Sequence, residues 1–381
     1  MTIRADIVRA HFHDHFGEWP LAVFRAPGRV TVIGDHTDYQ GGLALSMALP
    51  MATWVAAGQR PAFSVRAGTS HDGSWVDTTA PQLREAGRTP PLSGWAGLLA
   101  GVWSVLPTAP GASVWVESDL PVGVGLSSSA AITLGLLAAL TVLGGQPIQL
   151  PALTRLAQRV ENEFLGVPSG LLDQLSIAMA QPRSALLIDA AAQSARPVAF
   201  PYRDAGYRMW VIDTGSPRTL QAAGYRQRVQ EAAAAAAALS LPSVGAASEG
   251  DVARLTDPLL ARRARHIVTE SARVRAAVDA AAHGHWAHVM ALLNDSHASL
   301  AADYEVSSPR LDQTAARLRQ LGVGARVTGA GFGGSLVAMG PAAQESGLLS
   351  SLTTLYEQEG WPAPLVRPIL YPNGGLMQVG G

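Results

Sequence analysis

Residues 34–42 (GDHTDYQGG) crowd two carboxylates, an imidazole and a phenol, those of Asp35, His36, Asp38 and Tyr39, into five positions between glycine turns. Carboxylates and an imidazole on one tight loop suit paired hydrogen bonds to neighbouring hydroxyls, and a site built for a hydroxyl rejects analogues lacking it. A solvated acidic turn and a divalent-cation loop are the competing readings; the carboxylate spacing of an EF-hand is absent. A second segment, residues 120–131 (LPVGVGLSSSAA), joins a strand-like run to an apolar helical one. Free N–H groups and the positive helix end then converge over Gly123, Gly125 and Ser127, Ser128 and Ser129, a geometry suited to a triphosphate. A serine-capped helix after a turn is the plain alternative. The third segment, residues 327–335 (VTGAGFGGS), mimics a dinucleotide fingerprint at Gly329, Gly331 and Gly334. It runs from one strand-like stretch into another instead of opening a helix, so that fingerprint does not apply. Its glycines instead allow close backbone approach.

What must position these loops is a chain of 381 residues, 48% apolar, enough for two or three domains around a sizeable core. A formal net charge of −1 leaves no surplus for a nucleic-acid backbone or an anionic membrane, so neither partner is expected. With no cysteine, disulfides and thiolate metal sites are excluded. The amino terminus lacks the apolar core of a secretory signal, and a cytoplasmic location is expected. All 28 basic residues are arginine. That excludes a Schiff base, a lysine base and the P-loop lysine, so any phosphate must meet arginine, metal or backbone dipoles.

Short β-rich runs at residues 21–24, 53–57 and 113–117 alternate with helical patterns at 130–143 and 153–164, a mixed α/β texture. The apolar run 130–143 is too short to span a bilayer. After a strand-like stretch at 208–214 come long alanine- and arginine-rich helices, a helix ending at Gly322 and two strands around the third glycine loop. A boundary near residues 190–205 divides the chain into expected units of 1–195 and 196–381. Phe12 and Phe16, one helical turn apart, argue that His11, His13 and His15 lie on a short helix packed on the core rather than in a metal site.

In this order, the three glycine segments resemble those of the galactokinase branch of the GHMP small-molecule kinases, and the resemblance covers most of the chain. It implies an α/β (α+β) two-domain fold. A ribosomal-protein-S5-like N-terminal domain and a ferredoxin-like C-terminal domain would enclose the active site in their cleft. It implies an ATP-dependent, Mg2+-requiring kinase that phosphorylates the anomeric C1 hydroxyl of galactose. Asp173, in GVPSGLLDQ, matches the catalytic aspartate and Arg29 its partner, while Asp35, His36, Asp38, Gly170 and Tyr225 match the sugar-binding positions. The nucleotide falls to Gly123, Gly125, Leu126, Ser127, Ser128, Ser129 and Ala130, with Trp95 near the adenine, and Mg2+ to Ser128 and Glu161. Residues 331–334 would close the site beside the phosphate loop. A monomer is expected. The chain departs from the family pattern at Asp35, where glutamate is usual, at Thr31 and Gln40, where asparagine is usual, and at Leu98, where a tyrosine is usual. Asp35 motivates the alternative of another anomeric kinase, for N-acetylgalactosamine, arabinose or a uronic acid. A non-catalytic sugar and ATP sensor is the alternative from another class, against which the complete GLSSSAA loop and the Arg29 and Asp173 pair both speak.

Overall fold

The computed structural model describes residues 4–121, 124–216, 221–371 and 374–379. Its strands are β1 (Ala22–Ile33), β2 (Leu43–Gln59), β3 (Ser64–Thr69), β4 (Trp75–Thr79), β5 (Ala112–Ser118), β6 (Ser184–Asp189), β7 (Ser194–Ala199), β8 (Tyr207–Ser216), β9 (Gly324–Thr328), β10 (Gly334–Pro341), β11 (Leu365–Ile369) and β12 (Met377–Gln378). They form two sheets. The larger runs β12-β1-β2-β5-β3-β4, with β6 pairing both β2 and β7; the smaller runs β11-β8-β10-β9.

β1 is buried along its whole length, so it reads as a near-continuous apolar run rather than an alternating one. Its inner face packs with β2 against the helix Ser128–Leu143, whose Leu134, Leu136 and Leu137 are fully buried. Burial of each such leucine stabilises by roughly 2 kcal/mol. The register of β1 on β2 shifts between Pro27 and Arg29 and again between Thr31 and Ile33. Irregularities of this kind re-aim side chains, and the first lies immediately before Arg29.

The smaller sheet is built in the order strand, helices, two strands, helix, strand, and its spatial order is that of the ferredoxin-like β-α-β-β-α-β unit. Together with the mixed larger sheet it gives the two-part α/β architecture expected from the sequence. The anticipated division after residue 195 falls inside β7, which pairs with β6 along its full length, and the chain end returns to the larger sheet as β12 against β1. The helix Pro258–Ala282, opened by Pro258 and by the Asp257 carboxylate on the Leu259 and Leu260 N–H groups, ties the two halves. It packs against β2 and β7 of the larger sheet and against the helix Gln221–Ala238 of the other half. The helical pattern at 153–164 resolves into the helix Leu150–Arg159 followed by one π turn, Val160–Phe164. Such turns recur at functional sites, and this one carries Glu161.

Candidate active site

A cavity of about 310 Å3 opens where the halves meet, a volume at the lower end of the range for small-molecule sites. Arg29, Asp35, His36, Asp38, Ser129, Glu161, Gly170, Asp173, Tyr225, Gly329 and Ala330 are among the residues lining it. Positions separated by up to some three hundred residues in sequence therefore share one space.

Arg29 and Asp173 meet directly. Arg29 Nε donates to Asp173 Oδ1 at 2.7 Å and Nη1 to the Gly125 carbonyl at 2.7 Å. Ser127 Oγ donates to the other oxygen, Oδ2, at 2.5 Å. Burial disfavours the Arg29 charge, but Asp173, Asp35 and Asp38 more than offset this, so its pKa is raised and it stays cationic. Asp173 occupies the first turn of the helix Leu172–Met179, where the helix dipole favours a carboxylate. The loop carrying Gly125 and Ser127 is thereby pinned to the Arg29 and Asp173 pair.

The loop carrying Asp35, His36 and Asp38 turns at Gly34, with φ +106, where an added Cβ would meet the Ala44 backbone at 2.5 Å; only glycine fits. Glu270, fully buried on the helix Pro258–Ala282, accepts the Gly34 N–H at 2.9 Å and the Ser296 hydroxyl at 2.6 Å. Asp35 is held from behind: Oδ2 accepts from Arg326 Nη2 at 2.7 Å and from the Gly329 N–H at 3.1 Å. Burial raises its pKa, against the opposing pull of Arg326 and Arg29. His36, at φ +64, has both ring nitrogens engaged, Nδ1 with Tyr39 Oη at 2.9 Å and Nε2 with the Ala330 carbonyl at 3.2 Å. The carbonyl can only accept, so Nε2 carries the proton and Nδ1 accepts from Tyr39. Tyr39 Oη lies 2.9 Å from Tyr304 Oη, which continues the chain. Burial, reinforced by His266, pushes His36 down to about 3, and it is neutral at physiological pH.

Asp38 faces the cavity, and Gly170 makes the room: an added Cβ there would fall 2.3 Å from Asp38 Oδ2. Burial first, and then the nearby Asp173 charge, push Asp38 up to about 6, while the Leu172 backbone N–H favours its ionised form. Glu161 accepts from Ser169 Oγ at 2.9 Å, Gln174 Nε2 at 2.8 Å and Ser129 Oγ at 3.3 Å. Burial and Asp173 push it up to about 7. No cation neutralises it among the described residues.

These distances place most of the residues expected from sequence in one site and relocate several. The loop hydroxyl beside Glu161 is that of Ser129, not Ser128, because one step along a helix swings the side chain by about 100°. Leu126 and Ala130 bury their side chains in the core and so can offer a ligand only backbone. Gly123 lies outside the described residues. Trp95 packs on the large core with its indole N–H on the Ala67 carbonyl at 3.3 Å, and it does not line the cavity. From the third glycine loop the cavity takes Gly329 and Ala330; Gly331 backs instead onto the Val306 carbonyl. The loop does abut the phosphate loop, through Ser335 Oγ on the Val124 carbonyl at 2.9 Å.

Known proteins share both the motifs and the architecture. The galactokinase galactose-binding signature matches residues 10–59, and the GHMP kinase N-terminal and C-terminal domains match residues 97–181 and 277–358. A galactokinase of Mycobacterium tuberculosis is 35% identical over 90% of this chain and 95% of its own length. The chain belongs to the galactokinase family. A Roseiflexus galactokinase is 38% identical over 87% of this chain and 86% of its own length. The crystal structure of Lactococcus lactis galactokinase complexed with galactose superposes with a TM-score of 0.90, at 28% identity, covering 98% of this chain and 99% of that one. A mevalonate kinase at 17% identity and a TM-score of 0.63, covering 92% of this chain and 98% of its own, shares the fold.

Within this galactokinase-family site, sequence reasoning overlooked the supporting residues Arg326, Glu270, His266 and Tyr304. Arg326 is fully buried inside β9, and its Nη1 also reaches the Thr31 and Val32 carbonyls at 3.2 and 3.3 Å. An arginine three residues before the first glycine of the loop, in an otherwise largely apolar run, was the signal available. Glu270 and His266 lie one turn apart on a long polar helix and look like solvated residues until that helix is packed.

Proposed function

We propose that the protein transfers the γ-phosphoryl group of ATP to the C1 hydroxyl of galactose. The observation that carries this reading is the Arg29 and Asp173 pair at 2.7 Å, tied to the phosphate loop at Gly125 and Ser127 and sharing one cavity with Asp38 and Tyr225. The sugar's ring hydroxyls bond to Asp38, with Tyr225 and the Gly170 turn shaping the same wall and Asp35 and His36 behind them. The anomeric hydroxyl sits against Asp173. As O1 attacks the γ-phosphorus, its proton passes to the Asp173 carboxylate, the bond from that phosphorus to the β,γ-bridging oxygen breaks, and ADP leaves. Arg29 holds Asp173 and stabilises charge developing on the transferred group. Backbone N–H groups around Gly125, Ser127, Ser128 and Ser129, at the start of the helix Ser128–Leu143, receive the phosphates.

Mg2+ fits the residues present. Glu161 is a buried carboxylate whose charge lacks a cationic partner among the described residues, and the hydroxyls of Ser129 and Ser169 converge on it. Hard oxygen donors of this kind suit that ion. Ser129 and Glu161 would hold it, with Ser128 on the same turn, and when bound it neutralises phosphate charge.

The test is ADP release by purified protein with ATP, Mg2+ and a panel of free sugars. Galactose is expected to support turnover well above every other sugar, giving galactose 1-phosphate. No sugar-dependent ADP, or a clear preference for N-acetylgalactosamine, arabinose or a uronic acid, would overturn the assignment.

A further inference from the structure

Five residues of the third glycine loop, 329 and 331–334, have positive φ, and four of them are glycine. The fifth is Phe332, at φ +58. A bulky side chain is strained in that conformation, so its contacts must return more than the backbone loses. One contact is the Phe332 N–H, which donates to the Val306 carbonyl at 2.7 Å. The rest lie on the helix Gln221–Ala238.

Gly224 of that helix faces the end of the ring. A Cβ there would stand 2.5 Å from Cζ, 2.6 Å from Cε1 and 2.9 Å from Cε2 of Phe332, so the glycine leaves a notch that the ring fills. One turn on and on the same helix face, the Arg228 guanidinium lies over the ring, 5.7 Å from its centroid. Arg228 is itself buried and fixed, with Nε on the Tyr304 carbonyl at 2.5 Å and Nη1 on Glu231 Oε2 at 3.1 Å.

Tyr225, the residue after Gly224, lines the cavity. Its ring meets those of His36 and Tyr39 with centroids 5.6 Å apart in each case, and no hydrogen bond holds its hydroxyl among the described residues. The place of that hydroxyl therefore depends on where the helix backbone lies. Ala330, two residues before Phe332, lines the same cavity. The notch at Gly224 thus joins two walls of one site.

We infer that Phe332 is the positioning residue that sets Tyr225 on the sugar wall, by keying its ring into the gap at Gly224. It acts through the helix and not on the substrate. This rests on the kinase reading above, in which Tyr225 shapes the sugar site, so helix order is measured alongside turnover.

Steady-state kinetics and hydrogen exchange on the full chain compare wild type with Phe332→Asn, Gly224→Ala and the double variant. Asparagine tolerates positive φ, so it removes the ring while keeping the loop conformation accessible. Phe332→Asn is expected to raise the galactose KM at least fivefold, with a much smaller change in kcat and in the KM for ATP, and to speed exchange of the helical amides 225–232 at least tenfold. Gly224→Ala, whose methyl group meets the ring, should raise the galactose KM in the same way. The double variant should recover part of the Gly224→Ala loss, because the methyl group then enters vacated space; two unrelated structural defects would add. An unchanged galactose KM in both single variants, a loss confined to ATP, additive losses in the double variant, or amide exchange indifferent to Phe332 would overturn the inference. A wild type that ignores galactose while exchange still depends on Phe332 would instead defeat the kinase assignment alone.

Discussion

Arg29 Nε lies 2.7 Å from Asp173 Oδ1, although 144 positions separate the two residues in the chain. A register shift in β1 aims the arginine, and the first turn of the helix Leu172–Met179 presents the aspartate. Ser127 occupies the second carboxylate oxygen, so the three groups to which the proposed mechanism assigns proton and phosphoryl transfer are held together by direct hydrogen bonds. Preorganisation of this kind is where most of the catalytic gain in phosphoryl transfer arises.

Asp173→Asn keeps the shape of the pair and removes the proton acceptor. Its kcat should fall by about a hundred- to ten-thousand-fold, while galactose affinity measured by calorimetry changes little. Near-normal kcat would take Asp173 out of the chemistry.

Gly170→Ala drives a methyl group into Asp38, with contacts of 2.3 Å to Oδ2 and 2.8 Å to the backbone carbon. Because the backbone is involved, side-chain rotation alone does not relieve the clash. A shift of about 1 Å in a positioning group can cost a hundredfold, so the galactose KM should rise at least tenfold in steady-state assays, with the KM for ATP much less affected. An unchanged galactose KM would separate Asp38 from the sugar.

Glu161, pushed up to about 7, holds its proton more tightly in the folded than in the unfolded chain. Its contribution to ligand-free stability is therefore full below the ordinary carboxylate range and is lost as pH rises through about 7. Asp38, at about 6, acts in the same direction. His36 and His266, pushed down to about 3 and about 4, act in the other: their contribution is present at neutral pH and is lost as pH falls below the ordinary imidazole value. The difference between wild type and Glu161→Gln isolates the carboxylate. Thermal unfolding from pH 5 to 8 should show Glu161→Gln gaining on wild type as pH rises. Parallel curves would mean that Glu161 titrates normally.

Much of the site was legible because its parts are local. The sugar loop, the serine loop and the third glycine loop each announce themselves within about a dozen residues, since tight turns and helix starts require particular residue types at fixed offsets. The strands expected at 53–57 and 113–117 fall within β2 and β5, and the one expected at 21–24 overlaps the start of β1 at Ala22, because apolar and β-branched runs bounded by turns leave few alternatives. Ser128 against Ser129 was not legible. Three consecutive serines carry no sign of which faces Glu161; that depends on the phase of the helix relative to a π turn more than thirty residues later. Arg326 was equally hidden, because a charged residue in a strand declares a partner only once the neighbouring loop is packed on it.

By itself, then, the sequence determined the family, the three loops and the chemistry each could offer, since backbone conformation and functional-group type are encoded within short windows. Tertiary structure alone decided which carboxylates acquire a cation and which stay exposed to a ligand. Asp35 is braced by Arg326, Asp173 by Arg29, and Glu161 and Asp38 are left without one among the described residues. The physical reason is that electrostatic partnership and burial depend on distance and surrounding dielectric. Both are set by long-range packing of a helix more than two hundred residues beyond the loop it supports.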